Sequence, residues 1–205
     1  FIGILFFSCN KEEISINNLN NNHIEVLGHG GMGYSNLYPI NTSESILKCL
    51  NIGTDGSEID IQLTSDNQLV AFHNSTLDEN TNFTGRIRDY TWEQLKDVRY
   101  TSTAQLNYKL LHLKTFLSSL IELENHIFTL DVKLNKGNEE TVAYINDFTD
   151  AINEIYNDFS IEQNIFLESQ NEYFLQDMQS KNAQIKQYIY PQTFENGMAT
   201  AISLG

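Results

Sequence analysis

From residue 24 onward, short apolar runs alternate with helical patterns, and no other feature of the chain limits its fold as strongly. IEVLGHGG (24–31) is a short strand ending in glycines. TSESILKCLNIG (42–53) is a helix that Thr42 or Ser43 caps and Gly53 closes. GSEIDIQLT (56–64) and LVAFHN (69–74) are strands separated by the turn signal SDNQ. YTWEQLKDV (90–98) is a short helix with Thr91 as cap, and LKTFLSSLIELE (113–124) has apolar residues at helical spacing. The rest alternates the same way: strand IFTLDVK, long amphipathic helix 139–159, strand NIFLES, helix 171–182, strand IKQYIYP and a helix from Thr193 onward.

Alternating strands and helices predict an α/β fold with a parallel sheet and crossover helices. Five core strands (VLGHG, SEIDIQL, FTLDV, IFLES and QYIY) are expected, each followed by a helix. About the first five units of a (β/α)8 barrel fit this pattern, and so does a small doubly wound sheet. The polar residues favour the barrel. His29, Glu58, Asp60, Asp131, Lys133, Glu168 and Ser169 all fall at or near C-terminal strand ends, and in a barrel those ends ring one mouth.

The 205 residues carry a net charge of −15, with 40% apolar and 19% charged residues. That composition is globular, and the charge excludes a phosphate polymer as partner, so no nucleic acid is expected. A small anion can bind only where a metal or a local cation cluster reverses the field. The chain starts at Phe1 and stops at Gly205 within a helical pattern, and it reads as a fragment. Cys49 sits in a helical pattern as a small buried apolar residue. Cys9 closes the run FIGILFFSC and polar NKEE follows at once. This resembles the end of a bacterial lipoprotein signal peptide, residues 1–9, with Cys9 as the acylated residue. Residues 10–23 then form an Asn-rich tether, and 24–205 the partial barrel domain. The location expected is the bacterial cell envelope, lipid-anchored, periplasmic or surface-exposed. An ordinary apolar strand at 1–9 is the other reading. Oligomeric state cannot be read from the sequence.

The chemistry gathers in GSEIDIQLTSDNQLVAFHN (56–74). Alternate residues of a strand share a face about 6 to 7 Å apart. Ile59, Ile61 and Leu63 suit a helix-covered face, which turns Glu58, Asp60 and Gln62 inward. Two inward carboxylates repel and are costly to bury unpartnered. A divalent cation relieves that cost, and oxygen-only ligands favour Mg²⁺ or Ca²⁺. A pair of surface carboxylates on an edge strand is the simpler alternative. Asp131 and Lys133 repeat the i, i+2 spacing, while His29 and His73 close two strands.

These residues resemble the glycerophosphodiester phosphodiesterase family, of the PLC-like phosphodiesterase barrel type. That family carries H-R-G, P-E-N-T, G-A-D-x-x-E-x-D-x-x-x-T-x-D-x-x-x-V-x-x-H-D, G-x-I-x-D-x-T and E-I-K. This chain has HGG at 29–31, PINT at 39–42, GTDGSEIDIQLTSDNQLVAFHN at 53–74, GRIRDYT at 85–91 and LDVK at 130–133. The resemblance implies metal ligands at Glu58, Asp60 and Asp131, catalytic histidines at His29 and His73, and phosphate contact at Lys133. It implies metal-dependent hydrolysis of a glycerophosphodiester to glycerol phosphate and an alcohol, with the histidines as general acid and base.

Three positions depart from the pattern: Gly30 replaces Arg, Ile40 replaces Glu, and Asn74 replaces Asp. Losing the Arg weakens phosphate binding unless backbone N–H groups of the glycine turn form an anion nest. The departures leave two alternatives open, a lipid-anchored ligand-binding protein on a degenerate barrel and a related phospholipase or sphingomyelinase D-like enzyme.

Overall fold

The computed structural model describes residues 24–33, 37–101, 107–135, 141–160, 164–191 and 193–204. Cys9, the 10–23 segment and part of the GHGGMGYSNLYP run lie outside them.

Five parallel strands form the frame: β1 (Leu27–His29), β2 (Gly56–Leu63), β5 (Ile127–Val132), β6 (Ile165–Ser169) and β7 (Lys186–Ile189). They lie side by side in chain order, β1-β2-β5-β6-β7. A doubly wound sheet would reverse its order at a switch point. No reversal occurs among these strands, so the arrangement is the contiguous arc of a partial barrel. Its outer face is apolar because the strand period is two. Ile59, Ile61, Phe128, Leu130, Ile165 and Leu167 are all fully buried there. They pack in one core with Ile46 of α1 (Ser43–Asn51), Phe116 of α3 (Leu113–Ser119), Phe148 and Tyr156 of α4 (Val142–Phe159), and Phe174 of α5 (Glu172–Lys181). Each such side chain contributes about 1.5–3 kcal/mol relative to exposure.

The helix starts follow ordinary capping chemistry. Thr42 accepts from the Ser45 N–H, Thr141 from Tyr144 and Asn171 from Phe174. Thr91 and Gln94 form a capping box at α2 (Trp92–Leu95). The last helix, α6, spans Phe194–Leu204. Cys49 is buried, as its helical setting suggested, and its thiol is free. No helix of the described residues is long and apolar enough to cross a membrane.

Three expectations need correction. LVAFHN is strand only at β3 (Leu69–Ala71), so His73 lies two residues past the strand. The carbonyls of Phe72 and Asn74 accept from the Gln62 side chain, at 2.7 and 2.8 Å, in place of a strand partner. The helix read over 113–124 stops at Ser119, where Leu120 turns extended, Glu122 is left-handed, and a separate 3-10 turn follows at Leu123–Asn125. Ser118 and Ser119 hydroxyls bond back to the Lys114 and Phe116 carbonyls and satisfy that end locally. Finally, the sheet is not parallel throughout. β3 pairs antiparallel with β2, and β4 (Leu111–His112) antiparallel with β3. Between them lies a side lobe with its own core of Phe72, Leu77, Ile87, Leu95, Val98 and Tyr100.

Candidate active site

The edge of β2 is shared by two neighbours of opposite direction. β1 runs parallel along its lower half and ends with His29 opposite Glu58. β3 runs antiparallel down its upper half from Leu69, opposite Leu63, to Ala71, opposite Ile61. The Phe72 N–H then donates to the Asp60 carbonyl at 3.1 Å. The two histidine-bearing segments therefore converge on Glu58 and Asp60 from opposite ends of one strand.

On the inner face, parallel register aligns Asp60 of β2, Asp131 of β5 and Glu168 of β6 in one row. Glu58, Asp60 and Asp131 each offer a ligand oxygen, and these oxygens all lie within 4.8 Å of one another. Asp131, one methylene shorter than the Glu of the family pattern, still reaches the group. The Lys133 ammonium bridges two members, 2.9 Å from Asp60 Oδ1 and 2.5 Å from Asp131 Oδ2.

The electrostatics record the crowding. Burial first, and the Asp60 charge second, push Glu58 up to about 8, against a bond from the Gly30 N–H that favours the anion. Burial alone would lower Lys133, but its bonds to Asp131 and Asp60 outweigh that and hold the ammonium above its usual range. Burial and the Asp131 charge raise Glu168, opposed by Lys133 and His29. Three hard oxygen donors, one of them pushed toward its neutral form by burial and by the Asp60 charge, fit a divalent cation.

The shell around this row contains residues to which sequence reasoning gave no role. Asn41, fully buried, donates from Nδ2 to Asp60 Oδ2 at 2.6 Å and accepts the Asp60 N–H on Oδ1 at 3.0 Å. Its own N–H donates to the Gly30 carbonyl at 2.9 Å, tying the glycine turn to Asp60. Its left-handed φ of 63° suits Asn better than most residues. Gln62 fixes the segment that carries His73. The signal for Gln62 was present, since it shares the face of Glu58 and Asp60. The Asn74 Oδ1 lies 2.8 Å from His73 Nδ1. An amide oxygen only accepts, so His73 Nδ1–H is the donor in this bond.

The departures from the family pattern also acquire a geometry. A Cβ on Gly30, at φ +56°, would stand 2.7 Å from Ile40 Cβ. Ile40 thus fills the space that a side chain at position 30 would use, and the two substitutions are sterically matched. At Gly30, Gly31 and Met32 the alternative of an anion nest is not available, because their N–H groups are engaged. The Gly30 N–H donates to Glu58 Oε2, the Gly31 N–H to Ser57 Oγ and the Met32 N–H to Ser45 Oγ. Beside the cluster opens a cavity of about 520 Å³, lined by Asp131, Lys133, Asn135, Ser169, Asn171 and Tyr190 among others. The Asn135 Nδ2 at this cavity is buried without a hydrogen-bond partner.

A parallel barrel arc with carboxylates, a lysine and two histidines at its mouth defines an α/β-barrel protein with a candidate metal-dependent site. The chain belongs to the glycerophosphoryl diester phosphodiesterase family, whose model matches residues 32–198. It is similar to a glycerophosphodiester phosphodiesterase of Bacillus altitudinis, 37% identical over 108 residues, covering 47% of this chain and 44% of that protein. It is also similar to one of Caldanaerobacter subterraneus subsp. tengcongensis, 25% identical over 154 residues, covering 75% of this chain and 62% of that protein. Among solved structures, a phosphodiesterase of Oleispira antarctica in complex with the product sn-glycerol-3-phosphate shares the fold, with a TM-score of 0.70 at 18% identity, covering 86% of this chain and 71% of that one. The chain spans about half the length of the curated relatives it matches.

Proposed function

We propose that the protein hydrolyses glycerophosphodiesters to glycerol phosphate and an alcohol. The observation that carries this reading is the set of three carboxylate oxygens within 4.8 Å, two of the carboxylates bridged by Lys133, in a chain of this family. Glu58, Asp60 and Asp131 would hold Mg²⁺ or Ca²⁺, which when bound supplies charge neutralisation at the phosphate. Lys133 contacts a non-bridging phosphate oxygen as a point charge. His73 takes a proton from the attacking oxygen, that of water or of the glycerol hydroxyl next to the phosphate, whose cyclic product water then opens, and His29 gives one to the leaving alcohol. Asn135 donates from Nδ2 into the cavity where the diester lies. With the turn N–H groups engaged and no Arg at position 30, Lys133 is the side-chain cation that the described site offers the phosphate.

The test is hydrolysis of glycerophosphocholine by the intact protein, with and without a chelator. Activity restored by Mg²⁺ or Ca²⁺, and lowered about 10²–10⁴-fold in His29→Ala and in His73→Ala, supports the scheme. Wild-type kcat in either variant overturns it. The related D-type phospholipase reading predicts choline release from intact lipid instead. The apolar-to-polar switch at Cys9 supports a lipid anchor on a bacterial envelope, tested by fatty-acid labelling of the wild type against Cys9→Ala.

A further inference from the structure

We propose that Lys133 is a built-in counter-ion of the carboxylate cluster, that a divalent ion displaces its ammonium, and that Glu168 is the positioning residue that receives it. The inference rests on the metal reading of Glu58, Asp60 and Asp131 given above. Lys133 Nζ bonds to Asp60 Oδ1 and Asp131 Oδ2, at 2.9 and 2.5 Å. An ammonium beside one buried and two half-buried carboxylates offsets their mutual repulsion. A divalent ion drawing on the same oxygens stands within a few ångströms of Nζ, and the two cations repel. Lys133 is the one able to yield, because its stem is long and its side chain is 24% exposed.

The register shows where it goes. Asp131 and Glu168 are Cα partners on adjacent parallel strands and point to the same face. Such strands lie about 4.8 Å apart, so a shift of that size carries Nζ from one carboxylate to the next. Glu168 already stands within the field of Lys133 and of His29. Lys133 also lines the cavity beside the cluster. One lysine thus couples the two binding events. With the ion bound, the ammonium leaves Asp60 and Asp131 for Glu168 on the same inner face, and the phosphate meets it there.

Calorimetric titration of the intact protein with Mg²⁺ or Ca²⁺ alone tests this without reference to hydrolysis. Lys133→Met is expected to bind the ion tighter, on the order of tenfold, while its metal-free form melts lower than the wild type. Glu168→Gln is expected to bind the ion several-fold more weakly. In the double variant the Glu168→Gln loss should vanish, because it acts through Lys133. If metal-free Lys133→Met does not fold, Lys133→Gln, which keeps a donor without the charge, carries the same expectation of tighter binding. No gain in affinity in the lysine variants overturns the proposal. So does a Glu168→Gln loss that persists undiminished in the double variant, since a bare field effect would behave that way. If the unaltered protein binds neither ion, the metal reading itself fails; if it binds and the lysine variants gain nothing, only the present inference falls.

Discussion

Asn41 and Asp60 exchange two hydrogen bonds, side-chain amide to carboxylate at 2.6 Å and backbone N–H to amide oxygen at 3.0 Å. The pair joins the glycine turn to the central strand, so it links His29 to the carboxylate row. Asn41→Ala leaves a buried carboxylate oxygen and a buried N–H unpartnered, at a cost of about 2–4 kcal/mol. Urea unfolding of the metal-free protein measures it. The same variant is expected to bind Mg²⁺ or Ca²⁺ more weakly, because Asp60 is no longer held in place. An unchanged midpoint would show that Asn41 is dispensable.

Glu58 makes the metal-free protein sensitive to alkali. Burial and the Asp60 charge raise it from the ordinary 4.5 to about 8. Between those values the folded chain keeps a proton that the unfolded chain has released. Its contribution to stability is complete below about pH 4.5 and is lost as pH rises through about 8. Thermal melts in chelator should therefore fall across that window, and Glu58→Gln should flatten the slope. Metal binding expels the same proton, so affinity should rise with pH across that range.

Gln62 separates positioning from metal binding. Its amide holds the carbonyls of Phe72 and Asn74 on either side of His73. Gln62→Ala should lower kcat for a glycerophosphodiester at least tenfold, in line with the loss of a well-placed general base. Metal affinity, measured by calorimetry, should stay within about twofold of wild type, since Gln62 bonds to none of the three carboxylates. A large loss of metal affinity would contradict this division.

Gly30 and Ile40 should behave as a coupled pair. Gly30→Ala forces a left-handed φ of +56° and a 2.7 Å contact with Ile40 Cβ, at a cost of about 2 kcal/mol or more. Ile40→Ala keeps the offending atom, whereas Ile40→Gly removes it. A double-mutant cycle should show favourable coupling to Gly30→Ala with the Gly variant and little with the Ala variant. Equal coupling in both would mean that the contact is not the source of the strain.

Much of the frame was legible in the chain. The strand period of two set Ile59, Ile61 and Leu63 against Glu58, Asp60 and Gln62, and it did the same for Leu130 and Val132 against Asp131 and Lys133. Caps at Thr42 and Thr91 are local contacts of three residues, so short-range chemistry sufficed to place those two helix starts; the cap at Thr141 puts the start of the long helix at Val142, after the 139 read from its pattern. Helix ends were less clear. The spacing of Leu117, Leu120 and Ile121 suits a helix, yet serine hydroxyls and a left-handed Glu122 end it at Ser119.

Which residues face inward, and which chemistry they carry, can be read from the chain, because alternation and side-chain type are properties of a single strand. How those residues meet follows from pairing in the folded molecule. The antiparallel return of β3 brings His73 down to Asp60, Asn41 reaches a strand 19 positions away, and Ile40 occupies the space over Gly30. Register, strand direction and the filling of space are set by pairing between distant segments, and no local pattern in either partner encodes them.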